Sequence, residues 1–153
     1  MTVQTTAGST LAIAADAPAT FDAAGYAAVS YTTIGEITDL GELGREYNLV
    51  THNPVGTRST RKYKGSFNEG SMQVSLALDD DDGGQTIARA ASTSDSAYSF
   101  ELTYQDGTKR YFQALVMDFK EGAGGVDDIT SATMTVEITT ANDGTGIVYV
   151  AAA

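Results

Sequence analysis

Few side chains in this sequence are equipped for chemistry, and their spacing limits what they could do. His52 is the sole histidine, so any Ser-His-Asp arrangement would have to use it as the base. No Gly-x-Ser-x-Gly elbow occurs anywhere in the chain, and nothing pairs His52 with a nucleophile. The run Asp79-Asp80-Asp81-Asp82 followed by Gly83-Gly84 invites a calcium reading. A loop of the EF-hand type starting at Asp79 needs an acidic residue or Asn at its fifth position and Glu at its twelfth. Gly83 and Ala90 stand there, and the motif fails. The same carboxylates precede Gln85-Thr86-Ile87-Ala88-Arg89-Ala90-Ala91, where they suit a helix start: they can accept from unpaired N–H groups and face the positive end of the dipole. Asp127-Asp128 with Glu101 or Glu137 could supply the carboxylate pair of a glycosidase. Such pairs arise by chance among 20 acidic residues, and the chain has no tryptophan to line a sugar site. The expectation is that this is not an enzyme, and that it uses no cofactor or metal.

A different chemistry is concentrated in residues 51–66. Arg58, Arg61, Lys62 and Lys64, four of the 9 basic residues, lie there beside His52 and Tyr63. Cations interleaved with Tyr63 and Phe67 could stack on nucleic acid. The formal net charge of -11 opposes that, because binding to phosphates depends on cations displacing counterions. A small basic loop on an acidic body instead suits docking onto an acidic surface of another copy, with charge setting the register. Asp79, Asp80, Asp81, Asp82, Asp127 and Asp128 are the candidates for that surface, for the lining of a lumen, or for a helix cap. Head-to-tail contacts of this kind close into rings or extend into filaments.

The elements that must position these groups follow from length and periodicity. A chain of 153 residues fits one domain. It has no cysteine, which excludes disulfides and thiolate ligands. No apolar run approaches the roughly 18 residues that span a bilayer, and residues 1–6 lack the features of a signal peptide. Synthesis in the cytoplasm and no membrane contact are the expectations. Residues 9–15 read as a weak strand, and 18–26 as a loop or single helical turn ended by Gly25. Residues 28–38 read as a strand that bulges or bends at Gly35. Residues 1–8 form a flexible tail, and 51–66 a long loop of the kind that is functional or mobile.

Met72, Val74, Leu76 and Leu78 alternate with small and polar residues, giving a strand over 71–79 with one buried face. A short helix follows, with an apolar stripe of Ile87, Ala90 and Ala91. Asp106-Gly107 between two alternating runs predicts a hairpin, with Leu102 opposite Tyr111 and Tyr98 opposite Leu115. Its second strand, 109–119, is apolar on both faces and must be covered on both. A glycine-rich loop over 120–128 leads to a strand at 130–140, with Met134, Val136 and Ile138 inward, and a last strand covers 147–150. The fold class is mainly β: a β-sandwich or barrel with one flanking helix. On the residues alone, a small β-sandwich ligand-binding or adhesion module that loads calcium on its acidic loops stays open, with a hydrolase a weaker third.

Several stretches resemble one family. Pro18–Tyr26, Ile34-Gly35-Glu36-Ile37-Thr38-Asp39-Leu40-Gly41 and Tyr47–His52 are similar to segments of tail tube (major tail) proteins of siphophages. So are Lys64-Gly65 with Asn68-Glu69-Gly70, the acidic run closing on Gly83-Gly84-Gln85, and Asp106-Gly107 followed by Tyr111-Phe112-Gln113-Ala114. Order and spacing carry the resemblance over about residues 8–150. It implies a tube fold related to the secreted tube protein of type VI systems. Six copies would form a ring, and rings would stack into a hollow tube in the virion tail, assembled in the host cytoplasm. The tape measure protein and later the DNA would occupy an acidic lumen, with terminator and tail-tip proteins at the ends. By position, residues 51–66 would reach the neighbouring ring. A type VI-like injection device is the alternative within the same class.

Overall fold

The computed structural model describes residues 2–153. Alternation builds its sheet. In chain order the elements are β1 (Thr10–Ala14), α1 (Ala23–Ala27), β2 (Thr32–Ile34), β3 (Ile37–Asp39), β4 (Glu46–His52), β5 (Arg61–Asn68), β6 (Ser71–Ala77) and α2 (Gly83–Ser92). β7 (Tyr98–Thr103), β8 (Lys109–Gly122), β9 (Ser131–Thr139) and β10 (Val148–Val150) complete it. Met72, Val74 and Leu76 of β6 face the core, each opposite an apolar residue of β9: Val136, Met134 and Ala132. Phe100 and Phe112 stack at 5.4 Å across β7 and β8. One face of the whole sheet therefore supplies a single apolar core, and its burial is the main force that holds the fold.

The eight-stranded antiparallel sheet runs β2-β1-β7-β8-β9-β6-β3, with β10 pairing β8. β2 and β3 stand at opposite ends of that order, yet only Gly35 and Glu36 separate them in sequence. The chain leaves one edge of the sheet and joins the other at this corner. Glu36 takes a positive φ of 60° there, and its carbonyl accepts from the Ala77 N–H. The expected single strand over 28–38 is thus two short strands on two edges, and the bend expected at Gly35 is where the sheet closes.

Helix α2 plugs the rolled sheet through Ala88 and Ala91. Gln85, almost fully buried, ties the corner together: its amide donates to the carbonyls of Gly35 and Ala77, and its side-chain oxygen accepts from the Asp79 N–H. The helix begins on glycine because it approaches β2 so closely; a Cβ on Gly84 would sit 2.2 Å from the Thr33 carbonyl oxygen.

The second face of β8 is covered from within the chain only at its start, around Tyr111; Met117 further along the strand is 58% exposed, so the covering expected over 109–119 is incomplete. Tyr26 of α1 stacks on Tyr111 at 5.5 Å, with Tyr31 beside it. Burial pushes the phenols of Tyr26 and Tyr111 up to about 12. Gly25 lies inside α1 rather than ending it; the helix is started by Asp22, whose carboxylate accepts from the Gly25 N–H.

The β7–β8 register is Leu102 opposite Arg110 and Tyr98 opposite Ala114, one residue away from that expected. The loop holds three residues, Gln105-Asp106-Gly107, and Gly107 with φ 91° adds the extra position. The stretch 51–66 is not one long loop. Residues 53–60 alone are irregular, and the flanks belong to β4 and β5. The glycine-rich connection likewise begins later than expected, because β8 runs to Gly122 and β9 starts at Ser131.

Candidate assembly surface

Among the described residues, β4 and β5 pair only with each other, as a two-stranded sheet apart from the rolled one. Every residue of the two strands is exposed except Gly65, which is half-buried. Leu49 (65% exposed), Val50 (48%) and Tyr63 (52%) face solvent at mid-hairpin. A lone ribbon of this kind is at best marginally stable in water.

What holds it is its root. Arg45 Nε donates to Glu69 Oε1 at 2.9 Å, and a terminal guanidinium nitrogen lies 2.7 Å from the same oxygen. A second donates to the Tyr47 hydroxyl at 3.1 Å. The guanidinium carbon sits 3.9 Å from the centre of the Phe67 ring, which meets Tyr47 at 5.5 Å. Hydrogen bonds to Tyr47 and Glu69 raise the Arg45 pKa above its ordinary value. Glu69 is only 3% exposed. It lies under Gly146, where a Cβ would come 2.3 Å from its Oε1. The root thus joins both ends of the hairpin to the loop before β10.

Register sorts the rest by face. Tyr47, Phe67, Leu49, Thr51, Lys62 and Lys64 share one side, with Lys64 Nζ 4.8 Å from the centre of the Tyr47 ring. Val50, Tyr63, His52 and Arg61 share the other, His52 paired with Arg61. Arg58 lies in the tip. Among the described residues, none of Arg58, Arg61, Lys62 and Lys64 forms an ion pair. Residues 46–68 carry these four cations against Glu46 alone, a net +3; the remainder carries five cations against nineteen carboxylates, a net -14.

The acidic candidates gather at the far end of the sheet. The hairpin enters β6 at Ser71, and Asp79–Asp82 follow its other end at Ala77. Ala77 pairs with Ser131, which brings the 123–130 loop with Asp127 and Asp128 to that same end. Seven residues of β6 separate the two ends by about 20 Å at ordinary strand rise.

Asp82 is the cap of α2: its Oδ2 accepts from the N–H groups of Gln85 at 2.9 Å and Gly35 at 3.0 Å. Asp79 accepts from the Asp81 N–H, and Asp128 from the Gly125 N–H. Asp80 and Glu121 both pair with Arg89. Val126 and Ile129 stand exposed in the same loop as Asp127 and Asp128.

Sequence reasoning found the cations and the acidic runs but missed Arg45, Glu69 and Gly146. Arg45 and Glu69 lie 24 residues apart, and no local pattern marks them. Chemically the arrangement offers a protruding, mixed apolar and cationic ribbon and an acidic opposite end. Among the described residues, no three of His, Asp and Glu converge as a metal ion would require, and no helix is long and apolar enough to cross a membrane.

No family model matches the sequence, and no curated protein matches it. Among solved structures, the chain is similar to a chain of the anti-feeding prophage (AFP) baseplate, from a cryo-EM structure symmetrised six-fold. The TM-score is 0.66, the match covers 91% of this chain and 93% of that one, and 11% of the residues are identical. The shared property is the fold, mainly β and antiparallel.

Proposed function

We propose that the chain is a structural subunit of a non-contractile phage tail tube, with no catalytic step. Six copies close into a ring, and rings stack into a tube whose acidic bore passes the tape measure protein and then DNA. The observation that carries this reading is the β4–β5 hairpin: two strands with apolar residues on both faces and no covering layer in their own chain. Such a ribbon gains its missing contacts when identical neighbours surround it. The fold, alike over nearly the full length of both chains to a baseplate component, supports a place in a tail-like particle, and six-fold closure agrees with the symmetry of that particle. The net charge of -11 supplies the mechanism for passage, since an acidic wall repels phosphates instead of holding them. Terminator and tail-tip proteins would meet the two ends of the stack.

The AFP likeness also favours a second reading, the tube of an injection device of the type VI class. The two separate on what the tube is joined to: particles from producing cells carry the tube on a DNA-filled head in the first reading and on no DNA-containing head in the second. For both, negative-stain electron microscopy of the purified protein at high concentration is the test. Annular particles and cylinders are expected; a monomer at every concentration contradicts the assembly reading.

A further inference from the structure

The geometry points to a specific receptor for the hairpin: the opposite end of the sheet in a second copy of this chain, made by the 79–82 turn and the 123–130 loop. The inference rests on the assembly reading and adds which surface meets which.

Three observations carry it. First, the root of the hairpin and this end lie at the two termini of β6, and among the described residues the hairpin cations make no ion pair with it; a contact made between copies repeats head to tail. Second, their charges are complementary. Arg58, Arg61, Lys62 and Lys64 have no ion-pair partner among the described residues. Among the described residues, the carboxylates of Asp81 and Asp127 accept no hydrogen bond, and both residues are exposed at the far end. Third, the two surfaces match in apolar character. Val126 and Ile129 are 100% and 79% exposed beside the carboxylates, as Leu49, Val50 and Tyr63 are beside the cations. A purely ionic contact between exposed groups contributes little; apolar contact with charges around it gives both adhesion and register.

Nucleic acid is the other conceivable occupant of the cationic tip. The acidity of the rest of the chain, net -14 outside residues 46–68 with five cations against nineteen carboxylates, opposes it.

Charge exchange tests the assignment. One variant carries Arg61→Glu, Lys62→Glu and Lys64→Glu; a second carries Asp81→Lys and Asp127→Lys; a third carries all five. The substitutions spare Asp79, Asp80, Asp82 and Asp128, which hold local structure. Circular dichroism and thermal melting check that each variant folds, and electron microscopy reads cylinder formation. Loss of cylinders in both partial variants, with recovery in the five-fold variant, is the expected result. If the wild-type chain itself forms no cylinders, the assembly reading fails and this inference falls with it. If the wild type assembles but Asp81→Lys/Asp127→Lys assembles equally well, or the five-fold variant stays dispersed, the receptor assignment alone is overturned. Retention of a single-stranded oligonucleotide by the wild-type hairpin, with normal cylinders from the Asp81/Asp127 variant, makes nucleic acid the occupant and overturns it as well.

Discussion

The rolled sheet and the β4–β5 hairpin use the same antiparallel pairing but place their apolar residues differently. In the sheet, Met72, Val74, Phe100, Phe112, Met134 and Val136 turn inward from neighbouring strands and are fully buried. In the hairpin, Leu49, Val50 and Tyr63 are divided between two faces, and neither face meets another layer of the chain. Hydrogen bonding across a strand pair is therefore not what distinguishes a self-sufficient element here; a covered apolar face is. The sheet carries the stability of the monomer, whereas the hairpin leaves exposed the apolar surface that the proposed assembly would cover.

The largest effect expected from this contrast comes from the sheet. Phe112→Ala removes a fully buried ring stacked on Phe100 and should cost about 3–5 kcal/mol, read as a shift in urea midpoint. The paired experiment is Tyr63→Ala, which should leave monomer stability within about 0.5 kcal/mol yet reduce assembly. A large loss of monomer stability from Tyr63→Ala would break the comparison.

At the root, Glu69→Ala removes the buried acceptor of Arg45 and empties the space beneath Gly146. Because Arg45 is partly solvated, a loss of about 1–2 kcal/mol is expected, again by denaturant titration. Asp82→Ala removes the cap of α2 together with the acceptor for Gly35, for about 1 kcal/mol.

The last effect is confined to alkaline pH. Tyr26 and Tyr111 are raised to about 12 by burial, against about 10 in an unfolded chain. Their contribution is fully present below pH about 10 and is lost as pH rises through the folded values near 12. Absorbance of tyrosinate near 295 nm should show these two phenols titrating late; ionisation at pH about 10 by all eight tyrosines would contradict their burial.

Much of the sheet was legible because one-sided burial writes itself as alternation. β6 and β9 were placed with their inward residues correct, and α2 with its acidic start. Asp106-Gly107 located a turn, but not whether two or three residues form it, and the register moved by one. β4 and β5 left no such signature. Residues exposed on both sides need not alternate, so Arg61–Lys64 read as polar loop although their cationic character stood out. The Arg45–Glu69–Gly146 root and the closure at Gly35-Glu36 depend on chain segments brought together from far apart, which no local window contains.

Hydrogen exchange on dilute monomer and on assembled protein tests the central claim most directly. The amides of Leu49, Val50, Tyr63 and Lys64 should exchange quickly in the monomer and become strongly protected in the assembly, while those of β7 and β8 stay slow in both. Hairpin amides as slow as those of β8 in the dilute monomer, or no gain in protection on assembly, would contradict the account.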